Sequence, residues 1–190
     1  MSQQAILLEK QWTQEEWLAL PEGPPYYELE EGKLVPMPSP RREHQQVTGL
    51  LFARLHDYCL QNGTGTVVME VDVALPNGRG YIPDVAFIAR EREKHLPAPD
   101  GKVHGAPDLV VEVLSPSTRL RDLFTKLEGY QQAGVRFYWV IDPENLLIAE
   151  YELTTEGYVL RSHVEGDALF CPRLFPNLEI RLSEWVSTKA

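Results

Sequence analysis

Hydrophobic and polar residues follow one another along the chain in patterns that predict a mixture of helices and strands. From about Arg42 to Gln61 the apolar residues recur at helical spacing, which predicts a long amphipathic helix ended by Asn62-Gly63. Thr66 to Leu75 alternates with a period of two and predicts a strand. Asp84 to Ala89 and Leu109 to Leu114 are short apolar runs, each holding one acid, and predict two buried strands.

Shorter signals complete the order of elements. Thr13-Gln14-Glu15-Glu16 has the form of a capping box and predicts a short helix through Leu20. Two hairpins are predicted, Tyr26–Glu30 with Lys33–Met37 around Glu31-Gly32, and Leu146–Leu153 with Tyr158–Val164 around Glu156-Gly157.

The middle of the chain predicts a βαβ unit. Strand Leu109–Leu114 is followed by a helix from Thr118 to Ala133, which Gly134 ends, and then by strand Val135–Ile141. This order predicts an α/β fold with one mixed central β-sheet flanked by helices. We expect a single domain over residues 1–190, with a helix and proline-rich lead-in at 1–25 and the core at 26–190.

Composition narrows the class of protein. With 43% hydrophobic and 24% charged residues, the 190-residue chain has the profile of a soluble globular protein. No apolar run approaches the roughly 18 residues of a membrane span, and no signal peptide is recognised, so we expect a cytoplasmic location and no membrane partner. Cys59 and Cys171 lack zinc or disulfide spacing and are expected to be buried.

The net charge of −10 argues against a protein that coats nucleic acid through bulk electrostatics. It does not exclude a nuclease, because a carboxylate site is itself acidic and a bound divalent cation reverses the local sign.

Two isolated acids carry the candidate chemistry. Glu112 stands inside the apolar strand Leu109–Leu114, where a carboxylate costs several kcal/mol unless a cation compensates it. A Glu on a solvent-facing edge, or one paired with Arg, would also explain it. Asp84 follows Pro83 at the start of a second apolar run. One acid on each of two neighbouring strands favours a Mg²⁺ or Mn²⁺ site.

The predicted helix after Glu112 supplies a cation. Asp122, Lys126 and Tyr130 are spaced i, i+4 and i+8 and share one face. Asp122 and Lys126 could form a surface ion pair worth a few tenths of a kcal/mol. Alternatively, Lys126 reaches over the sheet toward Glu112, where its ammonium would orient an attacking water or stabilise a phosphate.

These residues resemble the PD-(D/E)XK nuclease superfamily, with Pro83-Asp84 similar to the first half of its motif and Glu112-Val113-Leu114 to the second. Leu114 departs from the usual lysine, but in some members that lysine has moved to the next helix, where Lys126 lies. The closer resemblance is to the Uma-two family, once classed as a domain of unknown function. The matching segments are Tyr27-Glu28-Leu29, Gly32-Lys33-Leu34-Val35, His44, Pro83-Asp84-Val85, Val111 to Thr118, Asp122 with Lys126 and Tyr130, and Gly134-Val135 leading to Tyr138 to Pro143.

The resemblance implies a restriction-endonuclease-like fold and hydrolysis of a phosphodiester, with DNA as the expected substrate. It implies Mg²⁺ or Mn²⁺ held by Asp84, Glu112 and the Val113 carbonyl, with Lys126 as the third catalytic residue. Glu28 could be a third acidic ligand, orient a metal-bound water, or be a solvated hairpin acid. His44 could touch phosphate or a carboxylate, or be structural.

Other functions stay open at this point. The fold could serve as a module that binds nucleic acid or protein without cleaving it, or as a hydrolase of RNA or a small phosphate ester. A homodimer is expected from the nuclease resemblance, and four aromatic residues expected at the surface would permit one: Trp12, Trp17, Phe170 and Phe175.

Overall fold

The computed structural model describes residues 10–186 and arranges its strands in two sheets. The ends of the predicted domain, residues 1–9 and 187–190, lie outside the described residues. The strands are β1 (Tyr27–Glu30), β2 (Lys33–Pro36), β3 (Gly65–Met69), β4 (Val73–Ala74), β5 (Gly80–Tyr81), β6 (Val85–Ala89), β7 (Val103–His104), β8 (Leu109–Val113), β9 (Phe137–Asp142), β10 (Leu147–Thr154) and β11 (Gly157–Glu165). The helices are α1 (Gln14–Leu18), α2 (Arg42–Asn62) and α3 (Leu127–Ala133), with a π-helix at Arg121–Lys126 and 3-10 turns at Arg90–Arg92 and Leu182–Glu184.

The larger sheet has six strands in the order β11-β10-β9-β8-β6-β3. The β8–β9 pair is parallel and its neighbours pair antiparallel, so the sheet is mixed and the predicted βαβ unit is confirmed. Every residue of β8 and β9 is buried. Helix α2 covers one face through Val47, Leu51 and Leu55.

A second sheet covers part of the opposite face, in the order β2-β1-β5-β4-β7. The predicted mixed central sheet is confirmed, but the sequence did not predict this second sheet beside it. The cause lies at Glu70, whose positive φ of 50° turns the chain between β3 and β4. The alternating pattern of Thr66–Leu75 hides this turn, because Val67 and Val73 are both buried, but in different clusters.

The predicted helix boundaries hold best where a cap defines them. Thr13 and Glu16 form the capping box at the start of α1, and Gly63 ends α2 with a φ of 61°. The helix predicted from Thr118 to Ala133 is not one continuous α-helix. Its first part is the π-helix Arg121–Lys126, and α3 follows and ends at Gly134, whose φ is 84°.

Several expectations about exposure were wrong. Trp17, Phe170 and Phe175 are buried, so they provide no surface for a dimer, and a homodimer stays a prediction. Cys59 is buried as expected, but Cys171 is exposed. Within residues 10–186, every helix is too short or too polar to cross a lipid bilayer.

Candidate active site

The two predicted acids face each other across neighbouring strands. The antiparallel register pairs Val85 of β6 with Val111 of β8, so Asp84 lies opposite Glu112. The backbone N–H of Val113 donates to Asp84 Oδ2 at 2.6 Å, which fixes the aspartate against β8. Asp84, Glu112 and Val113 line one cavity of ≈260 Å³.

Glu112 is held by two donors from the helical segment that follows it. Its Oε1 accepts from Lys126 Nζ at 2.9 Å and from the Tyr130 hydroxyl at 2.8 Å. Its side chain is buried, which excludes a solvent-facing edge position. Burial raises the pKa of Glu112 well above its usual value; Lys126 opposes this shift, and neighbouring carboxylates including Asp122 and Asp84 reinforce it.

Lys126 is enclosed by carboxylates. Its Nζ lies 2.9 Å from Glu28 Oε1, 2.9 Å from Glu112 Oε1 and 3.8 Å from Asp122 Oδ1. Its side chain is only 1% exposed, so the alternative of a surface Asp122–Lys126 pair is wrong. Burial disfavours the ammonium, but Glu112, Glu28 and Asp122 outweigh that cost and raise the pKa of Lys126.

Asp122 is buried beside Lys126 at the start of the π-helix. Burial raises the pKa of Asp122, while Lys126 and a hydrogen bond with Thr118 oppose the shift. Asp122 also lines the ≈260 Å³ cavity, as do Lys126 and Asp84.

Glu28 enters the cluster from β1, far away in sequence. It is fully buried, so the alternative of a solvated hairpin acid is wrong. Its Oε1 accepts from the Ile82 N–H at 2.8 Å, and its Oε2 accepts from Arg121. Burial alone would raise the pKa of Glu28, but Lys126 and Arg121 lower it. Glu28 and Tyr130 do not line the cavity; they support the residues that do.

Arg121 is a site residue that the sequence pattern did not single out. Its guanidinium pairs with Glu28 and also contacts Glu30 Oε2 at 3.3 Å. The spacing of Arg121 and Lys126 does not follow an α-helical face. The π-helix brings both toward the buried glutamates, and π-helical turns often occur at functional sites.

His44, in the first turn of α2, contacts the other acid. Its Nε2 lies 3.2 Å from Asp84 Oδ2, and its Nδ1 is buried with no hydrogen-bond partner among residues 10–186. Burial opposes the charged ring, but the hydrogen bond and charge of Asp84 outweigh it and raise the pKa of His44. The structure therefore places His44 against a carboxylate, at the wall of the cavity.

The donor set can be tested for a divalent cation. No group of three or more His, Cys, Asp or Glu side chains in residues 10–186 is arranged to hold a metal ion by itself. Within that range, however, Asp84 Oδ1 and Glu112 Oε2 accept no hydrogen bond, and both residues line the cavity. Two carboxylates with a backbone oxygen and water form a hard-oxygen set that suits Mg²⁺ or Mn²⁺.

The charges around Glu112 also favour a bound cation. The raised pKa of Glu112 shows that Lys126 does not offset the burial and the neighbouring acids. A further cation near Glu112 would favour its ionised form.

A second, larger cavity of ≈920 Å³ adjoins the first, and Arg41, His44 and Ser115 line both. On its wall Arg119 Nη2 lies 2.7 Å from Asp142 Oδ2, at the end of β9. Acids outnumber arginines in its lining, with Arg41, Arg119 and Arg181 against Glu43, Asp142, Glu144, Asp167 and Glu184.

Comparisons with known proteins bear on the fold and the family of this chain. A solved structure of a "putative nuclease belonging to DUF820" from Anabaena variabilis ATCC 29413 superposes with a TM-score of 0.75 at 22% sequence identity, covering 91% of this chain and 98% of that chain. This likeness shows a nuclease-like α/β fold. A comparison with curated proteins gave no match. The model of the Uma2 family, described as "Putative restriction endonuclease", matches residues 14–183, and the chain therefore belongs to that family.

Proposed function

We propose that this chain is a metal-dependent endonuclease that hydrolyses phosphodiester bonds, with DNA as its substrate. The observation that carries the proposal is the placement of Asp84 opposite Glu112 on one cavity, with Glu112 held by the buried Lys126. The family description and the name of the structural neighbour support a nuclease. The cytoplasmic location expected from the sequence stays a prediction.

In this proposal Asp84, Glu112 and the Val113 carbonyl hold Mg²⁺ or Mn²⁺. When bound, such an ion supplies a Lewis acid for the scissile phosphate and lowers the pKa of a coordinated water. The oxygens of Asp84 and Glu112 that accept no hydrogen bond within residues 10–186 would be the donors to this ion.

The remaining residues hold these donors in place. Lys126 and Tyr130 both bind Glu112 Oε1, which orients the carboxylate and leaves Oε2 without a hydrogen bond among residues 10–186. Because the Lys126 ammonium is enclosed by Glu28 and Glu112, we assign it a positioning and electrostatic role rather than direct contact with the phosphate. This revises the role expected from the sequence, in which Lys126 acted on the water or the phosphate itself.

His44 acts on the other acid. Its Nε2–H donates to Asp84 Oδ2, the same oxygen that accepts from Val113, so Oδ1 accepts no hydrogen bond among residues 10–186. Asp84 is thus oriented by two donors on one oxygen, as Glu112 is by Lys126 and Tyr130. Apart from Asp84, which directly precedes β6, these residues lie on strands or helices, so the site is largely preorganised.

The test is cleavage of plasmid and oligonucleotide DNA with Mn²⁺ or Mg²⁺. Asp84→Asn and Glu112→Gln should each abolish metal-dependent cleavage, while Asp100→Asn, an exposed acid outside both cavities, should leave it unchanged. Calorimetric titration with Mn²⁺ provides a second readout, because both site variants should lose the binding isotherm. Full metal-dependent cleavage by the two site variants would refute the assignment.

A second candidate is a module on the nuclease fold that binds nucleic acid or protein without cleaving. The net charge of −10 and Leu114 at the usual lysine position favour it. Mn²⁺ binding that depends on Glu112, without cleavage of DNA or of RNA of the same sequence, would support this alternative over the endonuclease.

A further inference from the structure

The ≈260 Å³ cavity is lined by apolar residues as well as by the candidate active-site acids. Tyr26 is the one Phe, Trp or Tyr among the residues that line it within residues 10–186, and its side chain is 53% exposed. Met37 and Pro38 also line the cavity. A large, exposed aromatic ring at the rim of a catalytic cavity has no role in the metal site proposed above.

Tyr26 and Met37 directly flank the first hairpin. The N–H of Met37 donates to the Tyr26 carbonyl at 2.9 Å, one step beyond the β1–β2 pair Tyr27–Pro36. Arg121 Nη1 contacts Met37 Sδ at 3.9 Å, and Arg121 is itself paired with the buried Glu28. The backbone of Tyr26 is therefore anchored to the hairpin, next to a residue that contacts the buried network.

Among the charged residues of the cavity, acids predominate. Besides Asp84 and Glu112, the cavity is lined by Glu70, Asp72 and Asp122. The basic side chains that line it are Arg41 and Lys126, and the Lys126 ammonium is already enclosed by Glu28 and Glu112. Apart from a bound metal ion, this surface therefore offers little to backbone phosphates, and the net charge of −10 adds no attraction at long range.

Base stacking depends less on a positively charged protein surface than phosphate binding does. Each base presents a π-face to an aromatic side chain, and such contacts supply much of the affinity of single-strand binding proteins. In a duplex those faces are covered by the neighbouring bases. At ≈260 Å³ the cavity is too small to enclose a double helix.

We propose that the cavity receives one base of an unpaired DNA strand, stacked on Tyr26, so that the enzyme acts on single-stranded DNA in preference to duplex. This inference rests on the endonuclease proposed above and names its substrate class. Tyr26 is a specificity-determining residue in it.

The test is fluorescence anisotropy with a labelled thymidine oligonucleotide, the same strand annealed to its complement, and a uridine oligonucleotide, all with Ca²⁺ in place of Mg²⁺ so that binding is measured without turnover. Wild type should bind the single DNA strand at least tenfold more tightly than the duplex. Tyr26→Ala should weaken single-strand binding by about 5- to 150-fold, the range expected for loss of one stacked base. Tyr26→Phe should retain it.

Phe124→Ala is the matched control, because Phe124 is 67% exposed and lines neither cavity. Duplex bound as tightly as the single strand, no single-strand binding, or equal effects of Tyr26→Ala and Phe124→Ala would overturn the inference. Tighter binding of the uridine strand than of the thymidine strand would overturn the choice of DNA.

The two proposals fail separately. Single-strand binding that depends on Tyr26, without any cleavage, would refute the endonuclease proposal but support the stacking site. Metal-dependent cleavage of duplex DNA that Tyr26→Ala does not change would support the endonuclease but refute the stacking site.

Discussion

Lys126 Nζ and Glu112 Oε1 form a 2.9 Å ion pair in which the two side chains are only 1% and 4% exposed. A buried ion pair contributes little net stability compared with apolar residues of the same shape, because both charges lose their hydration. Removing one partner is different, since the other charge then stays buried without compensation. The pair is thus evidence for a constrained site rather than for a stable one.

Lys126→Met is expected to lower the free energy of unfolding by about 3–5 kcal/mol, because Glu28 and Glu112 would lose their shared cation. Urea denaturation followed by far-UV circular dichroism measures it. Lys33→Met, on the exposed edge of β2, is the control and should change stability by about 0.5 kcal/mol or less. Equal effects of the two substitutions would contradict the buried ion pairs of Lys126 with Glu28 and Glu112.

Tyr130→Phe is expected to weaken Mn²⁺ binding by about 10- to 100-fold, the usual effect of losing a partner that orients a ligand. It removes the hydroxyl that donates to Glu112 at 2.8 Å and keeps the buried ring. Tyr138→Phe is matched to it, because that hydroxyl donates to the backbone oxygen of Asp122, also at 2.8 Å. Tyr138→Phe should cost about 1 kcal/mol of stability and leave Mn²⁺ affinity unchanged, as calorimetry can show.

The two acids of the candidate site, Asp84 and Glu112, could be predicted because local patterns in the sequence single them out. Glu112 and Asp84 stand out as single acids in apolar runs, and burial is what such runs predict. The buried strands, the first hairpin and the caps at Thr13 and Gly63 also follow from neighbouring residues alone.

What could not be predicted depends on contacts between distant segments. Tyr26 lies in an ordinary hairpin sequence, and Glu28 pairs with Arg121 across 93 positions. A contact between residues so far apart in the chain leaves no periodic pattern in the sequence. The second sheet was hidden for a related reason: the turn at Glu70 interrupts an alternation that continues unchanged on both sides.

The stability contributed by Asp142 is expected to depend on pH. Burial would raise the pKa of Asp142, but hydrogen bonds from Arg119 and Asn145 outweigh it and lower the pKa. A depressed pKa in the folded state means that the stabilisation is present above the unfolded pKa of about 3.9 and is lost as pH falls through the folded value. Asp142→Asn should therefore cost about 1–3 kcal/mol at pH 7, and its difference from wild type should shrink below about pH 4.

Urea midpoints measured between pH 3 and pH 8 check this, with Asp57→Asn on the exposed side of α2 as the control. A cost of Asp142→Asn that does not vary with pH would contradict the pairing with Arg119 as the source of the stability.

Two helical glycines should respond in opposite directions to the same substitution. A Cβ on Gly49 of α2 would meet nothing within 4 Å, so Gly49→Ala should stabilise the protein by about 0.5–1 kcal/mol through the higher helix propensity of alanine. A Cβ on Gly129 of α3 would lie 2.5 Å from the hydroxyl of Tyr81, which is fully buried and donates to Glu30 at 2.6 Å. Because that ring has no room to move, Gly129→Ala should destabilise by about 1–3 kcal/mol, despite the same gain in propensity. Thermal and urea unfolding of both variants measure the difference, and a stabilised Gly129→Ala would mean that α3 does not pack on Tyr81 as closely as this structure has it.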